Sequence, residues 1–261
     1  MSKDNPILAT RDAMVATIEL HNPPYNQLHM ALIDRLEEVI EEVAEDKSIR
    51  VVVLKGAGGQ NFSVGADITE FGAVAAKRGV REFIEQRHRL IRRIETMPKP
   101  VVCAMRGSCI GGGLEIALGC HFRIAASGGK IGLPEIELGV VPAWGGSQRL
   151  TRTIGRARAL EVMLLARKLT AEEAYAYGFV NEVCAPAELD DRADALAREL
   201  ASKAPLAVAG ILESVVRGGE ESLTRGLERE FMALEKTASS KDLQEGVMAF
   251  LQKRQPNFKG E

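Results

Sequence analysis

Gly111-Gly112-Gly113-Leu114-Glu115-Ile116-Ala117-Leu118 is the stretch on which the fold of this chain turns. Three glycines follow an apolar run, Val101 to Met105, and open an apolar helix. The run reads as a buried strand. The first amides of a helix lack intrahelical acceptors, and the helix dipole places partial positive charge there. Glycines let another group approach the backbone closely. Two readings follow. The turn suits an anion or a developing oxyanion, or it is a tight strand-to-helix crossing where only glycine packs. It is not a dinucleotide fingerprint, because G-x-G-x-x-G is not matched. It is not a phosphate loop either, because the Gly-Lys-Ser/Thr ending is missing.

The surroundings extend the same pattern. Upstream, Val51 to Leu54 is a second continuous apolar run, ending at Gly56, and Gly56 to Gly65 is a glycine-rich loop. From Gly79, the residues Val80, Phe83, Ile84, Leu90, Ile91 and Ile94 recur at helical spacing until Met97-Pro-Lys-Pro stops the helix. Met14 to Leu20 alternates as a strand, with Val15, Thr17 and Glu19 facing away from Ala16, Ile18 and Leu20. The Asn-Pro-Pro within His21 to Tyr25 makes a turn. Leu32, Leu36, Val39, Ile40 and Val43 mark a helix, and Glu37, Glu38, Glu41, Glu42 and Glu45 give it a solvated face. Downstream, Phe122 to Ala126 reads as a strand, and Thr170-x-x-Glu173 as a capping box. Strands alternating with helices predict right-handed crossovers and an α/β fold. From Leu189 the character changes, with helices expected over 190–204, 206–217, 220–237 and 241–253. The expected organisation is a mixed core over 1–200 and a helical region over 201–261.

Composition removes several classes of function. A chain of 261 residues needs no disulfide or metal to hold a core. Apolar residues at 46% and charged residues at 27% exclude wholesale disorder, collagen and a disulfide scaffold. A net charge of −2 argues against nucleic acid or an anionic membrane as partner. Cys103, Cys109, Cys120 and Cys184 form no CxxC pair, which points to a reducing compartment. Met1 to Asn5 carries no signal-peptide core, and no apolar stretch reaches the roughly 20 residues of a membrane helix. A cytoplasmic protein is therefore expected.

Two further stretches carry candidate chemistry. Phe62-Ser63-Val64-Gly65-Ala66-Asp67-Ile68 lies just past the Val51–Leu54 strand, at the end where α/β proteins place ligands. A turn with an Asp helix cap explains it equally well. Leu133-Pro134-Glu135-Ile136-Glu137-Leu138-Gly139, followed by Pro142-Ala143-Trp144-Gly145-Gly146, sets a glutamate amid apolar residues and glycines. Such a carboxyl is a candidate for a raised pKa, and spacing leaves open whether Glu135 or Glu137 faces inward. There is no G-x-S-x-G elbow. His21, His29, His88 and His121 show neither HExxH nor zinc spacing with cysteine, so they read as structural and no metal is expected. Tyr25 and His29 sit in an N-terminal loop that could approach a site, and they carry little weight.

Taken together, these segments resemble the crotonase, or enoyl-CoA hydratase/isomerase, family. The likeness runs through Phe62-Ser-Val-Gly-Ala-Asp-Ile, Lys99-Pro-Val-Val-Cys-Ala-Met-Arg-Gly, Gly111-Gly-Gly-Leu-Glu-Ile-Ala, Pro134-Glu and Gly145-Gly-Ser-Gln-Arg-Leu. It continues in Leu169-Thr-Ala-Glu-Glu-Ala, Gly178-Phe-Val-Asn-Glu-Val and Phe250-Leu-Gln-Lys-Arg-Gln-Pro-Asn-Phe-Lys, and so covers nearly the whole chain. The resemblance implies a spiral of ββα units with a C-terminal helical trimerisation region, in trimers or dimers of trimers. It implies acyl-CoA thioester substrates, with coenzyme A part of the substrate and no other cofactor. By the same resemblance the amides of Ala66 and Gly112 form an oxyanion hole, Glu115 and Glu135 are the catalytic carboxylates, and the Ala143 amide positions water. Ala66, Asp67, Ile68, Gly112, Trp144, Phe250 and Lys253 are the implied substrate contacts, the last two at the nucleotide end of CoA across a subunit boundary.

Two glutamates favour hydration of a 2-enoyl-CoA. The alternatives are a Δ3-Δ2-enoyl-CoA isomerase, a hydratase of a cyclic dienoyl-CoA, and, from another class, an RNA-binding crotonase-like protein. Glu115 lies in the first turn of a helix, where the dipole favours the ionised base. Glu135 lies in an apolar loop, where burial favours the protonated acid. Several residues depart from the family pattern. Trp144 stands at a position where small residues are common, Arg106 replaces a common Asn, and His121 a common Asp. Gly72 to Ala76 is a small-residue segment expected to be mobile and to line the acyl site. These departures point to a specialised or cyclic acyl group.

Overall fold

The computed structural model describes residues 6–70, 72 and 79–261. In chain order the strands are β1 (Ile7–Asp12), β2 (Val15–Leu20), β3 (Val51–Gly56), β4 (Val101–Met105), β5 (Ser108–Ile110), β6 (Phe122–Ala126), β7 (Lys130–Gly132) and β8 (Glu182–Cys184). The helices of the core are α1 (Met30–Glu45), α2 (Val80–Glu95), α3 (Gly112–Gly119), α4 (Gly146–Ile154), α5 (Arg156–Leu164), α6 (Ala171–Tyr177) and α7 (Leu189–Ala201). After them come α8 (Pro205–Leu212), α9 (Leu223–Ala238) and α10 (Lys241–Gln252).

The main sheet has the order β1-β2-β3-β4-β6-β8. β1 and β2 form an antiparallel hairpin, and every later pairing is parallel. A second ladder pairs β5 with β7 in parallel and is extended by a bridge from Ser63 to Cys109. Successive turns of chain thus lay one strand in each ladder, which is the spiral expected from the sequence.

The apolar strands are continuous because both faces of the sheet are covered. Ile18, Val52, Leu54, Cys103 and Met105 face α1, α2 and α3. Val51, Val53, Val102, Ala104 and Ile124 face Leu189, Ala193 and Ala197 of α7. The alternation in Met14–Leu20 is as expected, with Ala16, Ile18 and Leu20 buried. The acidic side of α1 is solvated and partly paired, Glu41 and Glu45 meeting Arg93. Thr170 and Glu173 make a complete capping box.

Some elements carry no clear signal in the sequence. β1 has a single buried residue and so lacks periodicity. α4 and α5 are bounded by Gly145 and Gly155, both at positive φ, and were not anticipated. The helix expected over 206–217 ends at Leu212 and continues as a π turn through Arg217.

Arg123 from β6 fixes α3 from behind. Its guanidinium donates to the carbonyls of Phe179 (2.6 Å) and Ala117 (3.2 Å), and to that of Cys120. It therefore satisfies orphan acceptors at the C-terminus of the helix that carries Glu115. Arg123→Leu strands these carbonyls, and a loss of about 1–3 kcal/mol in urea unfolding is expected.

Candidate active site

Backbone bonds lay the loop 63–66 beside the start of α3. Ser63 N donates to Ser108 O at 3.1 Å and Ile110 N to Ser63 O at 3.0 Å. Gly65 follows at φ +101°, where a Cβ would stand 2.9 Å from Ile110 O and 3.4 Å from Gly112 N. Only glycine permits that approach. A bridge to Leu28 then engages the Gly65 carbonyl and the Asp67 N–H. The N–H groups of Ala66 and Gly112 have no acceptor among the described residues. The close-packing reading of the three glycines holds. Gly112 lies so close to the Trp144 ring that a Cβ would meet Cζ3 at 2.7 Å.

Glu115 projects from the first turn of α3 into the core and is 2% exposed. Its Oε1 accepts from Trp144 N at 2.7 Å and from Gly146 N at 2.8 Å. Burial pushes its pKa up to about 8 against those two amide bonds, and the charge of Glu135 pushes the same way. Burial thus works against the ionised form that the helix dipole favours. Desolvation of a carboxylate in the core outweighs the partial charge of one short helix.

The alternative between Glu135 and Glu137 is settled by the 3-10 turn Glu135–Leu138. Glu135 Oε2 is buried and has no hydrogen-bond partner among the described residues. Burial raises its pKa as the apolar loop implied. Its Oε1 lies 3.3 Å from where a Gly111 Cβ would be. Glu137 is exposed and pairs with Lys168 at 3.2 Å. Glu115 and Glu135, twenty positions apart in sequence, thus flank one end of α3.

The turn 142–146 closes the site. The Ala143 N–H has no acceptor among the described residues. The Ala143 carbonyl lies 2.6 Å from His88 Nε2. Arg149, paired with Glu95 at 3.0 Å, donates to Trp144 O at 3.3 Å. Trp144 is buried, with its ring over Gly112. Sequence reasoning missed the amides of Trp144 and Gly146, since a backbone donor leaves no residue signature, and it read His88 only as structural.

Other expected residues are placed differently. Asp67 Oδ1 accepts from Thr69 N (2.9 Å) and Thr69 Oγ1 (2.7 Å), which holds its carboxyl below the usual range, so the cap reading accounts for its side chain. Ile68 is exposed. His29 caps α1 through Nδ1, and Tyr25 is exposed. Arg106 pairs with Asp190 at 2.8 Å. His121 accepts from Val101 N at 2.9 Å, and burial lowers its pKa to about 4. Of Gly72 to Ala76, all but Gly72 lies outside the described residues. Phe250 lines a cleft of about 450 Å³ with Leu206, Leu243 and Phe258, away from the elements that carry the glutamates. Lys253 ends α10 in the left-handed conformation.

The family model for enoyl-CoA hydratase/isomerase matches residues 10–261. The chain belongs to the enoyl-CoA hydratase/isomerase family. A Bacillus subtilis (strain 168) protein named "Probable enoyl-CoA hydratase" is 38% identical over 258 residues, 98% of this chain and 100% of that one. The "Short-chain-enoyl-CoA hydratase" of Clostridium acetobutylicum is 34% identical, covering 96% of each chain. The crystal structure of an enoyl-CoA hydratase from Bacillus anthracis superposes with a TM-score of 0.94 at 36% identity, over 98% of this chain and 100% of that one. The crotonase-like fold expected from the sequence is therefore the fold of this family member.

The raised pKa of Glu115 has a consequence for stability. Between the ordinary carboxyl value and about 8, the folded chain binds this proton more tightly than the unfolded chain. Ionisation then opposes folding, and this contribution falls as pH rises through that window. Glu115→Gln keeps the acceptor oxygen and removes the charge. Its Tm is expected to exceed that of the parent by several degrees at about pH 8.5, with the gap closing toward about pH 5. Thermal unfolding followed by circular dichroism across that range checks it.

Proposed function

We propose that this chain is a hydro-lyase that adds water across the 2,3 double bond of an enoyl-CoA thioester. The observation that carries this reading is the pair Glu115 and Glu135 beside two backbone donors, Ala66 and Gly112, that have no acceptor among the described residues. The thioester carbonyl sits between the two amides, which stabilise the enolate as charge moves onto its oxygen. One such donor contributes about 3–4 kcal/mol at the transition state. The Ala143 N–H holds the attacking water between the carboxyl groups.

The two carboxyls act as a coupled pair holding one proton between them. The ionised member takes a proton from water as the hydroxyl bonds to Cβ. The protonated member delivers its proton to Cα as the enolate collapses. The two groups have then exchanged states, and transfer between them resets the pair. No cofactor beyond the coenzyme A of the substrate enters these steps. The Trp144 ring over Gly112 narrows the acyl side of the hole, which favours a compact or planar acyl group.

Assembly is part of this reading. On α9, Leu223, Leu227, Phe231 and Leu234 recur on one helix face and are all more than half exposed. A soluble chain does not leave such a stripe in water. A trimer of this chain, or a dimer of trimers, covers it and brings Phe250 and Lys253 of one copy toward the CoA nucleotide of another. An aromatic face and an ammonium suit adenine and phosphate. Four buried free thiols agree with a cytoplasmic setting. Among the described residues no helix is long and apolar enough to cross a membrane.

A panel of linear and cyclic 2-enoyl-CoA thioesters, followed by mass, tests the activity. Wild type is expected to add one water to at least one of them, and Glu115→Gln and Glu135→Gln to lose about 10²–10⁴-fold in kcat, the usual contribution of a general acid or base. Migration of the double bond without gain of water identifies an isomerase instead. Sedimentation at micromolar concentration is expected to show a trimer or hexamer. A stable monomer contradicts the role given to α9 and α10.

A further inference from the structure

Helix α2 grips the turn 142–146 at two points. Glu95 holds Arg149, which reaches Trp144 O. Seven residues earlier, His88 Nε2 lies 2.6 Å from Ala143 O. A carbonyl oxygen only accepts, so Nε2 carries the proton and donates. The Ala143 carbonyl and the Trp144 N–H belong to one peptide group. That N–H donates to Glu115 Oε1 at 2.7 Å. The peptide is trans and planar, so imidazole and carboxyl hold its opposite edges, and fixing one edge fixes the other. Hydrogen bonds in such a chain also strengthen one another, by about 10–30% per bond.

We propose that His88 is a positioning residue for Glu115, acting through the Ala143–Trp144 peptide group. The proposal rests on Glu115 being one of the two proton-transferring carboxylates. His88 is exposed and need never touch substrate. Its bond aims the Trp144 N–H at Glu115 and steadies the neighbouring Ala143 N–H, which faces the same turn. The charged groups that bear on Glu115 are Glu135, from the 3-10 turn, and Arg149, from α4.

The test compares His88→Leu, which removes the donor, with His88→Gln, which supplies an amide donor. Two quantities are read. The first is kcat and KM for the best 2-enoyl-CoA of the panel. The second, in substrate-free protein, is the infrared carboxyl band of Glu115, identified by its disappearance in Glu115→Gln and titrated with pH. His88→Leu is expected to lower kcat on the order of tenfold with KM unchanged. It is also expected to move the midpoint of the Glu115 band upward, because a weaker amide donor favours the protonated carboxyl. His88→Gln is expected to recover most of both. If His88→Leu leaves kcat and the band in place, or if both variants lose kcat equally with the band unmoved, the proposal is overturned. If wild type hydrates no enoyl-CoA, the functional reading fails by itself. The band still decides the proposal in that case, a shifted midpoint supporting the His88 role and an unmoved one ending it.

Discussion

One carboxylate oxygen holds the site together. Glu115 Oε1 takes two backbone N–H groups from a turn about thirty residues later in the chain. Hydrogen bonds to a charged group contribute about 1.5–3 kcal/mol each. Removing a carboxylate from water costs several kcal/mol. The net result here is a pKa pushed upward, so burial wins. The clamp is therefore a compromise: tight enough to fix α3 against the turn, and unfavourable enough to leave Glu115 ready to hold a proton near neutrality. Arg123 behind α3, and Arg149 with His88 behind the turn, keep the two sides in register.

The second constraint is the close approach of two backbones. Gly65 passes Ile110 and Gly112 at distances no side chain tolerates. That approach leaves two N–H groups, on Ala66 and Gly112, without partners among the described residues. Unpaired backbone donors are rare in folded proteins because they cost free energy. A ligand oxygen placed between them removes that cost, and more so when it carries charge. The electrostatic part of such a site resides in the main chain, so it survives wide variation in side chains. The Trp144 ring packs directly against Gly112 beside these donors.

Much of the molecule was legible in the sequence. The buried runs Val51–Leu54 and Val101–Met105 stood out because a parallel sheet covered on both faces needs unbroken apolar strands. α1 and α2 stood out because each buries one face only, and the Thr170 cap because its side chains act locally. The short strands β5, β7 and β8 and the edge strand β1 did not, since three residues, or one buried face of an edge, produce no periodicity. The helices α4 and α5 escaped because glycines at 145 and 155 frame them and read first as loop.

For the site itself the division follows the range of the interactions. Sequence alone determined which residue types are present and their local order: three glycines before a helix, Glu115 in its first turn, and Glu135 in an apolar loop. Those are matters of spacing within a few residues, where chain connectivity leaves little freedom. Tertiary structure alone decided that Glu135 and not Glu137 faces inward, that Glu115 is held by Trp144 and Gly146, and that burial pushes its pKa up to about 8. It also decided that His88, on a helix more than fifty residues upstream, touches the same turn. Burial and backbone donors depend on which distant segments meet, and a backbone N–H is the same in every residue but proline.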